Sequence, residues 1–164
     1  MKKLFLMGRS EAGKTSLTQA LRGEELHYLK TQYTNTGDDT IDPPGEYAES
    51  KWFSVGLACF SFEADVVALV QAADEPFNLF GNCLGGCIQR PLIGVITKTD
   101  SPYANIPMVR QWMLNSGCER IFMVNNVTRE GIDELLEYLN EDLPKLSLSE
   151  ALDKQNSGKH EWQD

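Results

Sequence analysis

Histidine is nearly missing from this chain: its 164 residues contain only His27 and His160. Neither has a plausible triad partner in its sequence context, so Ser-His-Asp chemistry is not expected. Cysteine is sparse. Of Cys59, Cys83, Cys87 and Cys118, only Cys83 and Cys87 are close in sequence. Their C-x-x-x-C spacing lacks the further Cys or His ligands that a zinc site needs, so free thiols in a reducing cytoplasm are expected. No apolar run approaches the ~18 residues of a spanning helix, which argues against a membrane-integral chain. The opening Met1-Lys2-Lys3 is basic like a signal peptide. Its apolar run Leu4–Met7 is too short, however, and Arg9, Glu11 and Lys14 follow closely, so an export signal is not expected. Basic charge is also scarce, with 15 Lys and Arg against 24 Asp and Glu, a net of −9. That balance disfavours nucleic acid, whose phosphates require a basic face.

The acidity is uneven. Residues 130–164 hold ten acidic and three basic side chains, a net of −7, which leaves −2 for residues 1–129. Two parts are expected: a folded domain over residues 1–145 and an acidic, solvated tail over 146–164. The 41% hydrophobic fraction suffices for one core.

What is present is an alternation of buried-strand patterns and helical stretches. Leu4–Met7, Asp65–Val70, Leu92–Thr97 and Ile121–Val124 are continuous apolar runs, the mark of strands covered on both faces. Helices are predicted over Lys14–Arg22, roughly Tyr47–Phe60, Pro107–Asn115 and Ile132–Leu143, with Gly23 and Gly117 as stops. Glu24–Asp39 and Ala72–Arg90 read as loops. The sum is an α/β domain with a doubly wound, mostly parallel sheet.

Gly8-Arg9-Ser10-Glu11-Ala12-Gly13-Lys14-Thr15, continued by Ser16, fits the phosphate-binding pattern G-x-x-x-x-G-K-[ST] in full. It also lies between a strand and a helix, as that loop requires. The glycines let backbone N–H groups converge on a phosphate at a helix N-terminus. Lys14 reaches the β and γ phosphates, and the Thr15 hydroxyl ligates Mg²⁺. Ser10 and Glu11 stand where small GTPases often have glycine, so the Glu11 carboxylate must face water.

Asp42-Pro43-Pro44-Gly45 matches D-x-x-G, 28 positions after Lys14. Asp42 would organise Mg²⁺, and the Gly45 amide would sense the γ-phosphate. The short separation leaves little room for a full extra strand, so an abbreviated Ras-like switch I and edge hairpin is expected. Thr97-Lys98-Thr99-Asp100 is similar to N-K-x-D with Thr for Asn. Asp100 would accept from the N1–H and exocyclic amine of guanine, while the Lys98 stem covers the base. Asn125-Asn126 follows the next strand where many GTPases have Ser-Ala, and there a backbone N–H meets the guanine O6. Thr31, Thr34, Thr36 and Thr40 all fall in the window of the switch threonine. Glu46 replaces the usual water-positioning glutamine and is a weak catalytic candidate. No arginine finger is assigned, although Arg9 lies in the loop, so slow hydrolysis is expected.

Taken together, Lys2-Lys3-Leu4-Phe5-Leu6-Met7-Gly8, the run Gly13–Gln32, Ile41–Tyr47, Glu63–Val70 and Arg90-Pro91 leading to Asp100 resemble the EutP/PduV family of ethanolamine and propanediol utilisation, its propanediol branch most of all. The resemblance covers roughly residues 1–143. It implies a small P-loop GTPase-like protein with GTP or GDP and Mg²⁺, in the cytoplasm at or near a bacterial microcompartment. It implies shell or enzyme proteins as partners and leaves the oligomeric state open. It also favours Thr31 among the switch threonines, through the family feature Lys30-Thr31-Gln32. Pro43 departs from the family's D-T-P-G and stiffens the backbone before Gly45. A P-loop phosphotransferase acting on a short carboxylate is one alternative. An interaction module with a nucleotide site weakened by Glu11, Pro43 and Glu46 is another.

Overall fold

Leu4–Met7 forms β1, an inner strand of the sheet of six strands among the described residues, and every one of its residues is buried. The computed structural model describes residues 1–26, 35–36, 40–42, 62–82 and 84–141. Along the chain come β1, α1 (Lys14–Arg22), β2 (Asn35–Thr36), β3 (Thr40–Asp42) and β4 (Val66–Ala72). They are followed by β5 (Leu92–Thr97), α2 (Ile106–Ser116), β6 (Arg120–Met123) and α3 (Ile132–Asn140). The strand order is β2-β3-β1-β4-β5-β6.

Every strand pair is parallel except β2 with β3. β1 registers Leu4 with both Thr40 and Val66, and β4 registers Val67 with Leu92 and Ala72 with Thr97. Parallel pairing sends the C-terminal ends of β1, β3, β4, β5 and β6 to one edge of the sheet, the edge where open α/β sheets bind ligands.

The continuous apolar strands divide their residues between two cores. Leu4, Leu6, Val66, Ala68, Val70, Ile93 and Val95 face α1 and α3, where Leu17, Leu21, Ile132, Leu135 and Leu139 meet them. Phe5, Met7, Val67, Leu69, Leu92 and Ile96 face α2, through Val109 and Met113. Phe80 is buried in this second core, with Leu79, Leu84 and Ile88 partly buried against it. The stretch between β4 and β5 thus covers the sheet with a loop and one 3-10 turn, Leu84–Cys87.

The doubly wound α/β architecture is as expected. β1, α1 and β5 have the predicted bounds, while β4 runs on to Ala72 and β6 spans Arg120–Met123. The edge strands are short, two residues in β2 and three in β3, with Asn35 opposite Asp42 and Thr36 opposite Ile41. Both strands were too short for a period to show. α2 begins at Ile106, one residue early, because Asn105 Oδ1 accepts the Met108 N–H at 3.2 Å and caps it. Gly23 and Gly117 end their helices as predicted. The helix predicted over Tyr47–Phe60 and the tail beyond Glu141 lie outside the described residues. Among the described residues no helix is long and apolar enough to cross a membrane.

Candidate functional site

Residues 8–13 carry the chain from β1 into α1 at the ligand-binding edge. Gly8 is required by packing: a Cβ there would stand 2.3 Å from the Val70 carbonyl oxygen. The start of the loop can pass against the Val70 backbone of β4 because Gly8 has no side chain there. Glu11 (φ 66°) and Gly13 (φ 90°) are both left-handed, on either side of Ala12. Such alternation turns successive N–H groups to one side and builds an anion-binding nest. The nine-residue α1 adds its positive dipole end there. Glu11 is exposed, as its charge requires beside such a loop. Ser10 and Ser16 are partly buried.

Lys14 is 6% exposed, and its Nζ donates to the carbonyls of Gly8 (2.9 Å) and Arg9 (3.0 Å). The ammonium is therefore held across the loop by the loop's own backbone. Arg9 is engaged elsewhere. It pairs with Glu75, and its guanidinium lies 5.0 Å from the centre of the Phe77 ring.

The Thr15 hydroxyl donates to Asp42 Oδ2 at 2.8 Å, and Asp42 is 3% exposed at the end of β3. The parallel pairing of β3 with β1 brings these two together. A hydroxyl and a carboxylate are hard oxygen donors, which suits Mg²⁺. Thr15 and Asp42 are thus the described residues that could hold the ion. Thr31, Gly45 and Glu46 lie outside the described residues.

The turns after β5 and β6 complete the edge. Thr97 is fully buried, and its hydroxyl donates to the Ala12 carbonyl at 2.6 Å. Its side chain thus serves the phosphate loop. Lys98 is left-handed (φ 51°), and the Ser101 N–H closes the turn on its carbonyl at 3.1 Å. Both Lys98 and Asp100 are exposed at this edge. Asn125 is buried, and its Oδ1 accepts from the N–H groups of Val127 (2.9 Å) and Thr128 (3.1 Å). Asn126 Nδ2 donates to the Gly13 carbonyl at 3.1 Å. Sequence reasoning placed Asn125 and Asn126 at this edge for their backbone; their side-chain roles were not anticipated. It also missed Glu75, Phe77 and the Ser101 hydroxyl, which donates to Asp74 Oδ2 at 3.0 Å. These follow β4 or β5 and meet only through strand register, for which no local motif exists.

The thiols stand apart. Cys87 and Cys118 are free, and burial pushes the Cys118 thiol up to about 12. Such a group is a core residue and no nucleophile at neutral pH. Among the described residues no cluster of three or more His, Cys, Asp or Glu side chains could hold a metal ion.

Three comparisons bear on this arrangement. The family model described as ethanolamine utilisation and propanediol utilisation, PduV-EutP, matches residues 1–141. The propanediol utilization protein PduV of Citrobacter freundii is 42% identical over 142 residues, covering 85% of this chain and 94% of that protein. The "probable acetate kinase EutP" of Escherichia coli K12 is 32% identical over 145 residues, covering 85% and 89%. Among solved structures, Methanosarcina barkeri Roco2 RocCORdC bound to GDP superposes with a TM-score of 0.55 at 21% identity. That match covers 84% of this chain and 47% of the other. At that identity it speaks for the fold alone, the α/β P-loop NTPase fold.

Proposed function

Because the chain belongs to the PduV-EutP family of ethanolamine and propanediol utilisation, we propose that it is a guanine-nucleotide-binding protein and a slow GTPase serving such a pathway. One observation carries the reading: Lys14 held across the left-handed loop, with the Thr15 hydroxyl and Asp42 carboxylate 2.8 Å apart at its end. A cation lies beside a nest of N–H groups, and a pair of hard oxygen donors adjoins it. A polyphosphate with Mg²⁺ suits that set. When bound, Mg²⁺ would neutralise charge on the β and γ phosphates. Gly8 to Ser16 would cradle the phosphates, with Gly45 and Thr31 closing on the γ-phosphate and the metal. Asp100, Lys98 and the Asn125–Asn126 backbone would take the base. Slow turnover follows from Glu46, which offers a carboxylate where a neutral amide would orient water, and from Arg9, which is occupied by Glu75. The proposed setting is the cytoplasm beside a bacterial microcompartment, with residues 146–164 as a solvated acidic tail.

Calorimetric titration with GDP and a nonhydrolysable GTP analogue, with and without Mg²⁺, tests this reading. Micromolar or tighter binding that depends on Mg²⁺ for the triphosphate is expected. Asp100→Asn should shift preference from guanine toward xanthine nucleotides. No binding of either nucleotide would remove the proposal.

A second reading rests on the relative named a probable acetate kinase. The same cradle would pass the γ-phosphoryl group from ATP or GTP to a carboxylate oxygen, giving an acyl phosphate and the nucleoside diphosphate. Trapping acyl phosphate with hydroxylamine separates the readings. Acetyl or propionyl phosphate formed faster than free phosphate would favour the kinase.

A further inference from the structure

The end of β5 and the turn after β6, at the base-binding end of the proposed site, both send a side chain into the phosphate loop, and they reach consecutive carbonyls. Thr97 Oγ1 donates to Ala12 O at 2.6 Å, and Asn126 Nδ2 donates to Gly13 O at 3.1 Å. Gly13 O also accepts the Leu17 N–H at 2.8 Å, the first bond of α1. A trans peptide is planar, with its C=O and N–H on opposite sides. Tying the carbonyls of Ala12 and Gly13 therefore aims the N–H groups of Gly13 and Lys14 the other way. Gly13 sits at φ 90° and, as a glycine, has wide backbone freedom of its own. An external hydrogen bond narrows that freedom.

Asn126 is unusual as a structural amide. Its Oδ1 is buried and has no hydrogen-bond partner among the described residues. The neighbouring Asn125 spends its own Oδ1 on two backbone N–H groups. Asn126 is thus oriented through Nδ2, by the one contact it makes with the phosphate loop. Gly13 accommodates it closely: a Cβ at Gly13 would stand 3.2 Å from Asn126 Nδ2.

We propose that the side chain of Asn126 is a positioning residue for the nucleotide, fixing the Gly13–Lys14 peptide so that the nest is formed before the β-phosphate arrives. Thr97 does the same for the preceding peptide. The inference deepens the nucleotide-binding reading and rests on it. It gives Asn126 a task distinct from the backbone contact expected of its position, because it acts on the phosphate end of the ligand.

Displacement of a fluorescent GDP derivative by GDP and by GMP tests the assignment, using the full chain and the variants Asn126→Ala and Asn126→Asp. Loss of one side-chain hydrogen bond on a glycine carbonyl should weaken GDP about 3- to 10-fold. GMP, which lacks the β-phosphate, should change by less than about twofold. Asn126→Asp retains size and shape but presents only oxygen to Gly13 O, so it should lose at least as much as Ala. It also covers the case in which Ala fails to fold. Equal weakening of GDP and GMP would make Asn126 a base contact and overturn the proposal, as would unchanged GDP affinity in both variants. Failure of the unsubstituted protein to bind GDP would instead sink the nucleotide reading itself.

Discussion

At the scale of single residues, the phosphate loop has one side chain that opposes its backbone. Glu11 holds φ 66° without being glycine, a conformation disfavoured by about 1–2 kcal/mol for an L-residue. It also brings a carboxylate to a loop suited to anions. Glu11→Gly should relieve the strain, offset in part by the greater freedom of glycine in the unfolded chain. With the contact that Glu11 makes also lost, a net change of less than about 1 kcal/mol in urea denaturation is the expected result. The same variant should bind GDP more tightly, most clearly at low salt, because a repelling charge is gone. A loss of stability with unchanged affinity would show that Glu11 makes a contact worth more than its strain. The exposure of Glu11 was legible from its charge alone. Its left-handed φ was legible only through the analogy with glycine at that position.

At the scale of elements, α3 ends without a basic residue of its own in its last turn. The charge comes from the other end of the chain. Lys2 N donates to Leu139 O at 2.8 Å, and Lys2 Nζ donates to Tyr138 O at 3.0 Å. The ammonium also lies 4.6 Å from the centre of the Tyr138 ring. Carbonyls at a helix C-terminus carry partial negative charge and favour a cation. Lys2→Met keeps much of the stem but removes the charge, and it should lower stability by about 0.5–1.5 kcal/mol. Hydrogen exchange should show the loss concentrated in the last turn of α3. Uniform protection in the variant would make Lys2 a surface residue with no anchoring role.

The same scale shows where sequence reading succeeds. α1 and β5 were legible to the residue, because Gly23 stops the one and a continuous apolar run marks the other. β2 and β3 were not, because two and three residues carry no period and their pairing depends on β1. The candidate site divides in the same way. Lys14, Thr15 and Asp42 were legible as motifs, and the fold brings the last two together. The partnership of Asn126 with Gly13 links positions 113 apart, and that of Thr97 with Ala12 links positions 85 apart. Only the parallel register of β1, β4, β5 and β6 creates those contacts.

At the scale of the whole molecule, a net charge of −9 makes any further ionisation in the folded state unwelcome. Two groups that titrate at alkaline pH are shifted chiefly by burial rather than by that overall charge. Burial raises the Cys118 thiol from 9.0 to about 12. Burial also raises the Tyr138 phenol from 10.0, with Glu119 adding to the shift. A raised folded-state pKa means that the folded chain holds its proton longer than the unfolded one. The contribution of Cys118 to stability is therefore complete below its ordinary pKa of 9.0 and is lost as pH climbs toward about 12. The urea midpoint should fall steadily above pH 9, with Tyr138 steepening the fall once pH passes 10.0. Cys118→Ala removes the titrating thiol from the core beneath α2. It should lower the midpoint at neutral pH, because Cys118 is only 6% exposed and leaves a small void. Between pH 9 and 11, however, its stability should decline less steeply than that of the parent. Parallel declines for the two proteins would mean that Cys118 ionises equally in both states, and that alkaline loss comes from general repulsion among the acidic groups. A shallower decline in the variant would place the loss in the packed core of the sheet.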